Sequence, residues 1–372
     1  MAKRKRKHGP GDGEPPDSAM PIYLVSESER EGEQPAYSVL QIDAAADGNE
    51  ASRARAVSAL LGAERGMSFA AVYSKHGSWI VGVGGAATDR TIVFNLATSE
   101  ASWGPWLMCP KHRPVLVSHG GEVFVLSRRP RFARGVDYDP WFESFSFNGG
   151  ASDADVARAY LPPPPFLPLF MDPYEYRNPP EIHISSYAAI GSHLLFSAQP
   201  ELGTYAFHVV SHTWEKILDK NLPFVDQAMA LDGGGGGLFA ACRASDDPAT
   251  AAVSLFYISI DVKETTPSLS IQEFPVKTSE GDISWPIICP LGKGSFCSIR
   301  SSHRSRRRKT KIKVTLTAFE MENIDAVLAA CEHQDLRVAV QVKEQSHTYR
   351  YSFEGRSHLL DSGTPVVAAL SL

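Results

Sequence analysis

The sequence predicts an all-β fold arranged as a β-propeller, and three observations predict it. Short apolar or aromatic runs recur along the 372-residue chain, each bounded by Gly, Asn, Ser or Pro turns. Helical periodicity is confined to two short stretches. The aromatic runs also recur at a near-constant interval. Aligning Phe94, Phe147, Phe207, Tyr257, Phe319 and Phe353 gives steps of 53, 60, 50, 62 and 34 residues. The first four scatter about the roughly 50-residue period of kelch units. The short last step fits a closing unit that borrows strands from the N-terminus. The expectation is a kelch-like β-propeller of about six blades, its ring closed by N- and C-terminal strands.

Taken in order, residues 1–20 (MAKRKRKHGPGDGEPPDSAM) are charged and rich in Gly and Pro. They bury too little apolar surface to offset ordering and read as a disordered basic tail. Residues 21–372 read as one propeller-like domain. Two β-prone runs, IYLVSES and PAYSVLQID, flank a polar loop as a hairpin. EASRARAVSALLG (Glu50–Gly62) reads as a helix, with Val57, Leu60 and Leu61 on one face and Gly62 as its stop. GSWIVGVGG, TIVFNLATSEASW, PVLVSHGGEVFVLSR and WFESFSFNGG follow as strands and hairpins. A Pro-rich connector, YLPPPPFLPLFMDPYEYRNPP, interrupts them. Strands resume in YAAIGSHLLFSA, GTYAFHVVSHTWEKI, GGLFAACRA, AAVSLFYISI, GKGSFCSIRSS, IKVTLTAFEM and HTYRYSFEG. ENIDAVLAACEH is the second helical stretch.

Two units share a pattern of aromatic strand, polar turn and tryptophan. Trp103 follows Phe94 by nine residues, and Trp214 follows Phe207 by seven. In the second unit Gly203 and Tyr205 open the strand, and Leu222, Pro223 and Phe224 close the segment. Radiating sheets leave wedge-shaped gaps that large flat side chains fill. Both tryptophans are therefore expected in such wedges.

YLPPPPF, and some forty residues later GTYAFHVVSHTWEKILDKNLPF, resemble a plant family expanded in grasses, the domain of unknown function 1668. The opening YLVSE…YSVLQID is similar to that family's first strands. The resemblance runs from about Ile22 to the last strands and implies a kelch-type propeller related to F-box-associated and galactose-oxidase-like propellers. The chain departs from the pattern at His208, where the family carries an acid. It departs again at DVARAY, where the family carries a Trp before the prolines. The resemblance implies no activity.

Charge and motifs exclude several functions. Net charge is −5, so no global field draws nucleic acid or an anionic membrane. The best apolar run, Ala251–Ile260, is far shorter than a helical span, so no membrane association is expected. Five cysteines, none spaced as CxxC, predict free buried thiols and no zinc site. GVGGAA (Gly82–Ala87) precedes a strand where a dinucleotide site needs a helix. It reads as a glycine-permitted close crossing of strands. DGGGGGLF lacks the Lys-Ser/Thr of a phosphate loop and reads as a slack hairpin turn. His183 and His193 could approach one another, although lone histidines are more often surface or satisfied core residues. DYDPWFE (Asp137–Glu143) reads as a solvated acidic loop, and PPPPF (Pro162–Phe166) as a rigid connector. No residue set calls for a catalytic centre, metal or cofactor.

Two basic runs remain. Lys3, Arg4, Lys5, Arg6 and Lys7 lie in the tail and read as a nuclear import signal. Arg304, Arg306, Arg307, Arg308, Lys309, Lys311 and Lys313 are expected on an exposed hairpin loop, with no aromatics interleaved to stack bases. The sequence thus predicts a monomeric, non-enzymatic scaffold, nuclear or cytoplasmic and not secreted, that binds a protein through loops on one face. Two alternatives are a galactose-oxidase-like enzyme, whose Cys–Tyr and His ligands find no match here, and a nucleic-acid-associated protein using the basic loop.

Overall fold

A computed structural model describes residues 21–28, 36–42, 55–60, 63–85, 89–130, 140–152, 155–167, 174–175, 177, 179–231, 237–243, 252–261, 268–276, 287–306, 309–332, 338–354 and 366–371. The fold is all-β. Runs such as GSWIVGVG and VSLFYISID are rich in β-branched and aromatic residues and become strands. The chain opens with β1 (Ile22–Ser28), β2 (Ala36–Ile42) and β3 (Arg55–Leu60). A first meander is β4 (Met67–Ser74), β5 (Gly77–Gly84), β6 (Thr91–Asn95) and β7 (Glu100–Trp103). A second is β8 (Val115–His119), β9 (Glu122–Leu126), β10 (Phe142–Ser146) and β11 (Ala157–Tyr160). A third is β12 (His183–Ile190), β13 (His193–Gln199), β14 (Thr204–His208) and β15 (Thr213–Leu218). A fourth is β16 (Phe224–Ala230), β17 (Leu238–Arg243), β18 (Val253–Asp261) and β19 (Ser268–Pro275). A fifth comprises β20 (Ile287–Gly292), β21 (Ser295–Arg306), β22 (Lys309–Met321) and β23 (Val342–Glu354), with helix α1 (Ile324–Glu332) between the last two. Strand β24 (Val366–Ser371) returns to the start of the chain.

Four sheets are four-stranded, and the third and fourth meanders form one eight-stranded sheet. They join through β12 and β16, parallel over Ser186–Asp226 and Tyr187–Gln227. One of the four-stranded sheets has the order β24-β1-β2-β3, so N- and C-terminal strands share it. Here β24 pairs with β1, Ile22 opposite Ser371, and β2 lies one strand further out.

Each hydrophobic cluster lies between two successive meanders. Phe124, Phe142, Phe196 and Phe207 fill the gap between the second and third. Leu222, Phe224, Phe239 and Phe256 fill the next. Phe296, Phe319 and Val327 of α1 pack against the fourth meander, and Leu24 and Ile42 pack against Ile299 and Val314 of the fifth. Tyr37, Phe94 and Leu370 join the β24-β1-β2-β3 sheet to the first meander, and Val81, Phe145 and Phe147 join the first to the second. The first strands follow the same sequence: β4 lies against β8, β8 against β12, β12 against β16, β16 against β20, β20 against β24 and β24 against β4.

Two expectations are corrected here. The predicted helix over Glu50–Gly62 is strand β3 at Arg55–Leu60, paired with β2 from Tyr37–Leu60 to Gln41–Arg55. Its apolar spacing suits a helix, but β2 offers an open row of backbone partners, and tertiary pairing overrides weak local propensity. In the basic run at 302–313, residues 302–306 and 309–313 are strand rather than loop. β21 and β22 remain paired to Arg306–Lys309, and β23 stays alongside to Lys309–Glu354, which makes a three-stranded ribbon.

Candidate functional site

The first strands of the meanders and β24 border a cavity of about 460 Å³. Its charged wall comes from segments that strand geometry alone would not place together. Arg128 follows β9, Tyr187 lies on β12, and Asp226 lies on β16. Arg128 Nη2 donates to Asp226 Oδ1 at 2.9 Å, and its Nε donates to the Arg113 carbonyl at 3.2 Å. The guanidinium stands 5.9 Å from the centre of the Tyr187 ring. Burial opposes its charge, but Asp226 and then Tyr187 outweigh burial and hold it above the ordinary arginine range. Burial, reinforced by Asp226, pushes the Tyr187 phenol well above its usual value.

A second set mirrors the first. The Tyr37 hydroxyl accepts the Gly66 N–H at 3.2 Å. Burial and then Glu27 raise its pKa, and Arg113 partly opposes them. Glu27 is buried and forms an ion pair with Arg65 at 3.6 Å. Each set therefore joins a phenol, a carboxylate and a guanidinium. Both are centred on backbone in the left-handed region, with Arg113 at φ 46° and Asp226 at φ 64°. That conformation costs on the order of 1 kcal/mol for a non-glycine residue. Arg113 is clamped on both sides, its N–H donating to the Gly66 carbonyl at 2.6 Å and its own carbonyl holding Arg128. The opposite wall is apolar, with Ile287 and Ile288 of β20 and Val366–Leu370 of β24.

None of these residues was singled out in the sequence, and the residues that were lie elsewhere. Phe207 and Trp214 are cross-strand partners in the wedge between the second and third meanders. Trp214 Nε1 also donates to the Pro162 carbonyl at 2.8 Å, and Phe166 packs on Tyr205 at 5.1 Å. The prolines thus run as a connector pinned to the next meander. Gly203, at φ 92°, lies where a Cβ would press on the Leu218 carbonyl. Leu222, just before β16, and Phe224, its first residue, are buried and flank a half-buried Pro223. Phe94 is fully buried, but Trp103 is 45% exposed, which corrects its expected wedge role. In register Ala101 is opposite Phe94, while Trp103 pairs with Ile92 on the outer strand. There Arg90 sits between Trp103 and Trp106, 4.7 and 4.6 Å from the two rings.

Gly84, at φ 95°, lies where any Cβ would meet the Lys111 carbonyl, a close crossing as expected of GVGGAA. Residues 86–88 of that run, and 232–236 of the glycine-rich turn, lie outside the described residues. The acidic segment is corrected: Glu143 is buried on β10 and forms an ion pair with buried Lys111, because Lys111 is folded in from the preceding connection. Asp137 and Asp139 lie outside the described residues. His183 and His193 sit at opposite ends of the β12–β13 hairpin, and His193 instead packs on His208 at 4.9 Å. All five cysteines are free, four of them buried. Among the described residues no cluster of three His, Cys, Asp or Glu could hold a metal, and no helix is long and apolar enough to cross a membrane. Lys3–Lys7, Arg307 and Arg308 lie outside the described residues. Arg304, Arg306 and Lys309 lie on the ribbon strands, and Lys311 and Lys313 are exposed on β22.

Fold and cavity define an all-β protein of repeated four-stranded meanders whose first strands surround a polar–apolar cavity. The chain belongs to the family described as Protein of unknown function (DUF1668), whose model matches residues 20–349. No curated protein matches it. Among solved structures it is similar to the β-propeller domain of Cps50 (Swd1) from Myceliophteria thermophila. That similarity has 11% identity and a TM-score of 0.39, over 78% of this chain and 81% of that one.

Proposed function

We propose that the chain is a six-bladed propeller closed by β24 on β1, and a non-enzymatic scaffold that holds an acidic partner protein on the β21–β22–β23 ribbon. Closure is supported by the circuit of first-strand contacts and by the mixed β24-β1-β2-β3 sheet. Deleting residues 1–45 would remove β1 and β2 and leave β24 without its partner. An open edge is an aggregation template. The truncated chain is expected to aggregate on size-exclusion chromatography, and a soluble, cooperatively melting 46–372 fragment would contradict closure.

The partner reading rests on the register of the ribbon. Near the body of the fold, Glu320 of β22 is opposite Lys343 of β23, with their charges 3.9 Å apart. Further out, Lys313 is opposite Arg350, and Lys311 is opposite Ser352. Lys311, Lys313 and Arg350 are all exposed. Like charges directly opposite one another destabilise a sheet, and an acidic surface would relieve them. No aromatic residue occupies the ribbon positions in register with Lys311 and Lys313, so bases would find no stacking platform.

A fluorescent poly-glutamate peptide should bind the full chain in a salt-sensitive manner. K311E/K313E/R350E should weaken that binding by about tenfold or more, since each screened contact contributes modestly. Unchanged peptide binding in this variant would refute the reading. Tighter uptake of a single-stranded RNA oligomer than of the peptide would move the ribbon to nucleic acid.

A further inference from the structure

We infer that Cys289 and Cys297 form a modification site, a dithiol that hydrogen peroxide converts to a reversible disulfide beneath β24. The two residues are directly opposite one another on β20 and β21. Opposite residues of an antiparallel pair share a face, with Cβ atoms about 4.5–5.5 Å apart. A disulfide needs about 3.5–4.5 Å. The local ladder leaves room for that adjustment. Pro290 has no N–H to give Phe296 opposite it, and the register shifts between Pro290 and Gly292. The thiols are already in contact. A hydrogen bond with the Cys289 thiol, and then burial, hold the Cys297 thiol well above its ordinary range. No other cysteine is so placed. Cys242 is opposite Val225 and Val253, Cys331 lies on α1, and Cys109 lies between β7 and β8.

Both cysteines are free and fully buried, in one cluster with Leu24 of β1 and with Val366 and Ala369 of β24. β24 is a six-residue strand, so its local opening uncovers the pair without unfolding the chain. Cys289 lies near Tyr73 of β4: burial, and then Cys289, push that phenol up to about 12. Tyr73 is half exposed, and its hydroxyl donates to the carbonyl of Ser371, at the end of β24, at 2.5 Å. Peroxide entering at this seam meets Cys289 first. Its O–O bond breaks, the Cys289 sulfur takes one oxygen as a sulfenic acid, and the other oxygen leaves with the thiol proton as water. Cys297, which has kept its proton, then attacks the sulfenyl sulfur. The S–S bond forms, the S–O bond breaks, and the hydroxyl leaves with the Cys297 proton as a second water. Two electrons pass from the sulfurs to peroxide, and a dithiol reductant reverses the bond by exchange.

The test treats the reduced full chain with excess hydrogen peroxide, removes the peroxide with catalase, and counts thiols in denaturant containing an alkylating agent. Free thiols should fall from five to three, and dithiothreitol should restore all five. Peptide mapping should join Cys289 to Cys297 within one chain. Y73F removes the bond to Ser371 and should speed the thiol loss about threefold or more. C297A should stop at a sulfenic acid on Cys289, which dimedone captures. C289A should form no disulfide and serves as the second variant should C297A not fold. Five thiols surviving the oxidant would overturn the inference. So would a disulfide to any other cysteine or to a second chain, a loss that dithiothreitol does not reverse, an equal rate in Y73F, or an undiminished intrachain disulfide in either alanine variant.

Discussion

Lys111→Ala should lower stability by about 3–5 kcal/mol, the range for removing one partner of a buried ion pair. The Lys111 and Glu143 side chains are 1% and 3% exposed, so neither charge has water to fall back on. Lys111 Nζ also lies 3.5 Å from Cys109 Sγ, and its carbonyl accepts the Gly85 N–H at 2.9 Å. The residue therefore ties the connection after β7 to the first meander by its backbone and to the second by its side chain. Alanine would leave the Glu143 carboxylate buried without its cation. The loss should appear in urea unfolding as a lower midpoint at similar slope. K111M/E143L removes both charges and should recover most of that loss, because desolvation offsets much of what a buried pair contributes. A single mutant within about 1 kcal/mol of the natural chain would mean that water reaches Glu143.

What the sequence made legible was local. The hairpin of β14 and β15 is a contiguous string, and Phe207 and Trp214 are in fact cross-strand partners. Helix α1 was also readable, since its apolar residues keep helical spacing within one segment. β3 was not. Val57 and Leu60 suit a helix by spacing, and only β2, brought alongside by the chain reversal, decides otherwise. Nor could Trp103 be distinguished from Trp214 by composition. The two-residue difference in spacing shifts Trp103 past the position opposite Phe94, onto an exposed outer strand.

The candidate site was illegible for a physical reason. Arg128 and Asp226 are 98 residues apart, and Lys111 and Glu143 are 32 apart. Each member alone resembles any surface charge, and nothing local marks Asp226 as the residue in the left-handed conformation. The ribbon shows the reverse case. Its charges were plain in the sequence, but pairing of β21, β22 and β23 sets Lys311 and Lys313 on a strand where a loop was expected.

Phe142→Ala should cost about 3–5 kcal/mol and lie near the upper end of that range. Phe142 is fully buried and at the centre of the wedge between the second and third meanders. Its ring lies 4.9 Å from Phe207, 5.5 Å from Trp214, 6.1 Å from Phe196 and 6.3 Å from Phe124. Four aromatic neighbours cannot collapse into the void without leaving their own partners, so most of the cavity would persist. Trp214→Ala should cost less, about 2–3 kcal/mol, because Trp214 is only half-buried and water can replace its bond to Pro162. Trp103→Ala should fall within about 0.5 kcal/mol of the natural chain, apart from the contact with Arg90. The double mutant F142A/W214A should lose less than the sum of the singles by about 0.5 kcal/mol or more, since both open the same space. Strict additivity would mean that the two rings act in separate layers. A Trp103→Ala loss as large as that of Trp214→Ala would mean that both tryptophans fill wedges between sheets, as the sequence alone suggested.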